Sequence, residues 1–260
     1  MIKFLIHSSI ILVLTIITQI GGILYLLSIL LFYKYTRRIK LMVFTSLYLL
    51  ATFFIVPKIA PLFGRVKIAN TPYLTQHSLF TVLCNRNYVR PTLHKVLQKT
   101  GKQLQTYYPG VKISYLDACF PFFDGFPLLP HLSHKDGKKI DLNFMYLLPS
   151  GQPTSQGPSV SGYGVFQAPK PGEQNKPAYC HQKGYWQYSF TKYLTFGSTD
   201  ELRYSSKHTK KLVQLLLRQS AVKKIFLEPH LIQRMGIQHS KLRFHGCKAV
   251  RHDDHLHVQL

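Results

Sequence analysis

From Phe4 to Tyr33 the chain carries no Asp, Glu, Lys or Arg, and a second uncharged apolar run extends from Leu41 to Val56. At about 20 residues per crossing, the first run is long enough for a tilted transmembrane helix, and the second suffices with its flanks. Two spans are expected. Lys3 before an apolar stretch also resembles the start of a signal peptide. No small-x-small cleavage site follows, and the run outlasts an ordinary signal core, so an uncleaved anchor is expected.

Between the runs, Lys34-Tyr35-Thr36-Arg37-Arg38-Ile39-Lys40 holds four basic residues in seven. The positive-inside rule assigns such a loop to the cytoplasm, which would leave both termini facing outward. Lys58, Arg65 and Lys67, beyond the second run, pull the other way. The expected organisation is a membrane anchor over 1–58 (two transmembrane helices and a basic loop), a basic linker over 59–79 and one catalytic domain over 80–260. A chain of 260 residues and 30.0 kDa has room for one such domain.

The formal net charge is +23, and all ten acidic residues lie at Asp117 or later. A field of this sign attracts anionic lipid headgroups, carboxylate-bearing peptides and nucleic acid alike. No zinc-finger, helix-turn-helix or RNA-recognition signature accompanies it, so nucleic acid is the weakest of the three readings. Cys84, Cys119, Cys180 and Cys247 form no C-x-x-C pair, which argues against an all-cysteine zinc site. In an extracytoplasmic domain Cys119, Cys180 and Cys247 are candidates for disulfides, with buried free thiols as the equal alternative.

The remaining elements are read from periodicity. Pro91 to Tyr107 has Leu93, Val96, Leu97 and Leu104 near helical spacing, and a strand follows over Val111 to Leu116. Ile140 to Leu148 reads as a strand with Asp141, Asn143 and Met145 on one face. Gly151 to Gly184 reads as a long loop. A helix from Ser205 or Ser206 to Arg218, a strand over Val222 to Leu227 and a short helix over Pro229 to Met235 complete the pattern. Trp186, Tyr185 and Tyr188 are read as core packing ahead of a substrate platform. The fold class is α+β: a small, mostly antiparallel sheet with flanking helices, preceded by two transmembrane helices.

Chemistry concentrates in two windows. His131-Leu132-Ser133-His134, with Asp141 downstream, and His252-Asp253-Asp254-His255-Leu256-His257 hold five of the thirteen histidines. Strand alternation over the second window puts His255 and His257 on one face. A loop histidine, a strand aspartate and a terminal-strand histidine make three ligands and leave a fourth position for water, as in catalytic zinc sites. The alternative is histidines that merely cap or decorate a basic surface. No G-x-S-x-G elbow supports a serine hydrolase.

The pattern S-H-x-x-G-x-x-x-D over Ser133 to Asp141, followed by H-x-x-H-x-H over His252 to His257, resembles the LAS group of zinc peptidases. Within that group it is most similar to the penicillin-insensitive murein endopeptidases, whose first motif also carries a histidine at the position of His131. The resemblance implies that His134, Asp141 and His257 ligate Zn2+ and that His255 is the essential non-ligand histidine. It also implies that His252 and His131 flank the active site. Lys248-Ala249-Val250-Arg251 replaces the aromatic approach to the last motif found in those endopeptidases.

The resulting expectation is a zinc peptidase of the bacterial inner membrane, its catalytic domain extracytoplasmic, hydrolysing an amide in peptidoglycan cross-links. A D,D- or L,D-carboxypeptidase with the same zinc site is the first alternative. Arg243 or Arg251 would then clamp the substrate carboxylate. A catalytically inactive basic membrane-bound binding protein is the second.

Overall fold

The computed structural model describes residues 1–260. In chain order the helices are α1 (Ile2–Thr18), α2 (Gly21–Leu31), α3 (Arg37–Leu50), α4 (Val56–Ile59), α5 (Leu79–Leu83), α6 (Pro91–Tyr107), α7 (Lys176–Gln182), α8 (Ser206–Leu217) and α9 (Pro229–Met235). The strands are β1 (Val66–Lys67), β2 (Leu74–Gln76), β3 (Tyr88–Val89), β4 (Ile113–Tyr115), β5 (Lys139–Asn143), β6 (Tyr146–Leu147), β7 (Pro153–Thr154), β8 (Arg203–Tyr204), β9 (Lys224–Phe226), β10 (Leu242–Arg243) and β11 (His255–Gln259). The molecule is mixed α and β with small, mostly antiparallel sheets. Two compact units partition the chain.

The first unit comprises Met1–Ile68, Leu79–Pro91 and Ala118–Gly137. Its helix α3 runs through a π-helical segment (Ala51–Ile55), α4 and a 3-10 turn (Ala60–Phe63). This continuous 27-residue stretch, Arg37–Phe63, contains an 18-residue segment of mean hydropathy 2.1 and is long and apolar enough to cross a membrane. It is the one helix that is. The run from Phe4 to Tyr33, expected to be a second span, is instead two helices that fold back on each other.

The break lies at Gln19, whose φ is 68°. Thr18 Oγ1 accepts the Gly21 N–H at 2.8 Å, so the first turn of α2 is satisfied by the last residue of α1. At 1.5 Å per residue α1 is about 25 Å long and α2 about 16 Å, both short of the roughly 30 Å hydrocarbon core. A Cβ on Gly22 would sit 2.0 Å from Thr15 Oγ1 and 2.5 Å from the Ile11 carbonyl oxygen. Glycine therefore lets the two backbones meet, the small-residue contact common between helices in lipid. At the hairpin tip Gln19 Oε1 accepts the Phe122 N–H at 3.1 Å, and Ile20 is buried with Ala51, Val56, Ala60 and Tyr88.

The second unit comprises Ala69–Ser78, Thr92–Asp117 and Lys138–Leu260. Its main sheet has six strands in the order β10-β9-β11-β5-β4-β2, and β11 is an interior strand paired antiparallel on both sides. Helix α6 buries Leu93, Val96, Leu97 and Leu104, and α8 buries Leu212, Val213, Leu215 and Leu216, the stripes their spacing predicts. The run read as one strand from Ile140 to Leu148 is divided. Met145 N–H donates to Thr209 Oγ1 at 3.1 Å, and the chain passes into a second antiparallel sheet, β7-β6-β8. Residues 151–184, read as a loop, contain β7 and α7, the latter capped by Asn175 Oδ1 accepting from Ala178 N–H at 3.0 Å. A disulfide joins Cys180 to Cys247, while Cys84 and Cys119 are buried and outside any disulfide.

Candidate metal centre

The pairing of β5 with β11 sets His257 opposite Asp141 and His255 opposite Asn143. Alternation then gives one face of this strand pair an aspartate and two histidines, because side chains two residues apart project the same way. His257 Nδ1 lies 2.9 Å from Asp141 Oδ1, and His255 Nε2 lies 3.7 Å from the same oxygen. All three side chains are buried.

A buried carboxylate is costly unless it is paired and hydrogen-bonded. Asp141 Oδ2 accepts from the Tyr163 hydroxyl at 2.9 Å, and that hydroxyl in turn accepts the Asp117 N–H at 3.1 Å. Burial and the Asp117 and Asp141 carboxylates push the Tyr163 phenol well above its ordinary range, so it remains a donor. His255 Nδ1–H donates to Asp254 Oδ1 at 2.5 Å. Asp254 Oδ2 also accepts from Gly164 N–H at 2.6 Å and Thr191 Oγ1 at 3.3 Å. The carboxylate is held from three sides and fixes the His255 ring, directing Nε2 toward Asp141.

His252 packs against both motif histidines, with ring centroids 4.9 Å from His255 and 5.5 Å from His257. Burial, then the neighbouring imidazoles, holds its pKa well below the usual value, and its buried Nδ1 has no hydrogen-bond partner. In the first unit, His134 Nδ1 lies 2.7 Å from the Ala118 carbonyl oxygen, and its ring is 5.5 Å from that of His131. Ligand-capable atoms of His131, His134 and Asp141 all lie within 4.8 Å of one another, and the three are buried. This group can hold a metal ion. Its imidazole and carboxylate donors fit zinc and equally other borderline divalent cations.

Of the expected ligands, His134 and Asp141 belong to that group, joined by His131, which was expected to flank the site. His257 enters through its contact with Asp141. The two arginines differ. Arg243 is exposed, whereas Arg251 is nine-tenths buried, stacks 4.0 Å from the Phe166 ring and donates from Nε to Asp253 Oδ1 at 2.6 Å. A second guanidinium nitrogen pairs with Asp253 Oδ2. Arg251 is thus already paired with a carboxylate of this chain.

Tyr163, Thr191 and the rim residue His245 escaped the sequence reading. His245 stacks on the same cluster, 5.3 Å from His252 and 6.3 Å from His257 by centroid. The signal for Tyr163 lies in its flanks. Gly162 and Gly164 have φ of 87° and 86°, and a Cβ at either would meet Leu116 Cδ2 at 2.2 Å or the Thr191 carbonyl at 2.4 Å. Glycine on both sides permits the close turn that delivers the tyrosine. Trp186, read as core, is 73% exposed, whereas Tyr188 and Thr191 on the same 3-10 segment are buried. That segment kinks at Ser189, whose φ and ψ of −103° and 21° are non-helical, and Tyr188 and Thr191 on either side of the kink face inward while Trp186 stays outside.

No protein-family model matches the chain, and no curated protein matches it.

Proposed function

We propose that this chain is a membrane-anchored zinc metallopeptidase that hydrolyses an amide bond in peptidoglycan cross-links, as the LAS-type motifs imply. The observation that carries the reading is the cross-strand pair Asp141–His257 with His255 on the same face. His134, Asp141 and His257 would hold the metal, with His131 beside them. When bound, zinc lowers the pKa of its water toward about 7 and polarises the scissile carbonyl.

The chain's own residues handle the proton. Because Asp254 occupies His255 Nδ1, Nε2 is the nitrogen that accepts a proton from water and returns it to the leaving amine. Tyr163 keeps Asp141 charged and oriented by donating to the oxygen that does not meet His257. Neutral His252, beside His255, would donate a ring N–H to the developing oxyanion. Exposed Trp186, 6.1 Å edge-on from Phe190, offers a stacking surface for a sugar ring.

The disulfide supports an extracytoplasmic domain, since such bonds persist in oxidising compartments. The basic stretch Lys34–Lys40 supports a cytoplasmic loop at the start of α3. A carboxypeptidase would need a free cation for the terminal carboxylate. With Arg251 engaged by Asp253, exposed Arg243 is the remaining candidate of the two arginines.

Zinc content and muropeptide turnover, measured on the same preparations, test the reading. His255→Ala should keep the metal and lower hydrolysis by roughly 10²–10⁴-fold. His257→Ala should lose metal and hydrolysis together. Equal metal loss in both variants would make His255 a ligand, and turnover indifferent to both would refute the peptidase.

A further inference from the structure

The hairpin of α1 and α2 leaves a groove against α3, a cavity of about 730 Å³ within the first unit. Its two ends differ in chemistry. Lys3, Arg37 and Lys40 line one end, and Ile10, Leu14 and Ile29 line the interior. No carboxylate neutralises those cations from the surrounding helices, because no Asp or Glu precedes Asp117. Lys40 Nζ donates to the Tyr33 carbonyl at 2.9 Å, which fixes its position without cancelling its charge. Midway, His7 Nδ1 meets the Tyr25 hydroxyl at 2.9 Å, a polar pair set among apolar side chains.

We propose that this groove binds one anionic phospholipid, its phosphate between Lys3, Arg37 and Lys40 and one acyl chain lying along Ile10, Leu14 and Ile29. Charge complementarity selects the headgroup, since a phosphate diester supplies the anion that the three cations lack. Length selects the tail. From Lys3 to Leu14 the groove follows α1 for about 16 Å at 1.5 Å per residue, close to half of the roughly 30 Å hydrocarbon core and so to one leaflet. A free phosphate would leave the apolar interior unfilled, and a zwitterionic lipid would bring its own cation against Arg37. The site is distinct from the metal centre and does not depend on the peptidase reading.

The test uses full-length protein in neutral detergent with equimolar phosphatidylglycerol and phosphatidylcholine, and counts bound lipid by native mass spectrometry. Wild type should carry one phosphatidylglycerol in preference to phosphatidylcholine. Arg37→Gln with Lys40→Gln should weaken retention about 30-fold, roughly fivefold for each cation removed near an anionic headgroup. Lys34→Gln with Arg38→Gln removes the same charge outside the groove and should change little. Ile29→Trp, which keeps every cation, should also lose the lipid by filling the tail channel. Equal loss in both double variants, or retention by Ile29→Trp, would overturn the site. Displacement of lipid by millimolar glycerol phosphate would overturn it in favour of a soluble anion.

Discussion

The helical hairpin of the first unit and the six-stranded sheet of the second are both built from apolar residues, yet they keep different information. In the sheet, position along the strand fixes which face a side chain occupies, so His255, His257 and Asp141 come together once β5 pairs with β11. In the hairpin, every residue from Phe4 to Tyr33 lacks a formal charge, so charge does not mark where the path turns. The turn is decided by Gln19 and by glycines small enough for helix contact. A patterned segment is legible, and a uniformly apolar one is not.

The largest expected effect sharpens that contrast on the sheet side. The Cys180–Cys247 bond closes a 67-residue separation, so Cys180→Ser should lower the stability of the second unit by about 4 kcal/mol in the chain-entropy picture. Denaturant unfolding followed by Trp186 fluorescence checks this. An unchanged midpoint would mean that the sheet and its helices hold the unit without the cross-link.

On the hairpin side, Gly22→Leu forces a side chain into Thr15 and the Ile11 carbonyl, and overpacking of this kind costs typically 1–3 kcal/mol. Pairs of cysteines on α1 and α2 should then cross-link less readily. Undiminished cross-linking would show that the hairpin does not need the glycine contact.

The smallest effect is a pH dependence. His230 is buried, its Nε2–H donating to the Gln167 carbonyl at 2.7 Å, and burial lowers its pKa to about 4. An unfolded histidine takes a proton near pH 6.5, so between roughly 6.5 and 4 the unfolded state binds more protons than the folded one. Stability should be full above that window and fall as pH drops through it. His230→Gln should flatten this part of the unfolding curve, and a parallel slope in both proteins would assign the acid sensitivity to other groups.

The contrast also explains what was legible. Helix α6 falls on the span that its leucines mark, and α9 runs from Pro229, a favoured first helical residue, to a left-handed Gly236 at its end. The two histidine windows were visible because imidazole and carboxylate at fixed spacing are rare by chance. Trp186 lies outside because burial of an aromatic here depends on the path of a segment that kinks at Ser189.

The sequence by itself determined the apolar first third, the basic charge, the helix and strand periods and the histidine-rich motifs, because each is local and written in residue order. Tertiary structure alone decided that Phe4–Tyr33 doubles back, that Cys180 meets Cys247 and that Tyr163 reaches Asp141. Those outcomes depend on backbone dihedrals, close packing and contacts between residues distant in the chain, and no local pattern encodes them.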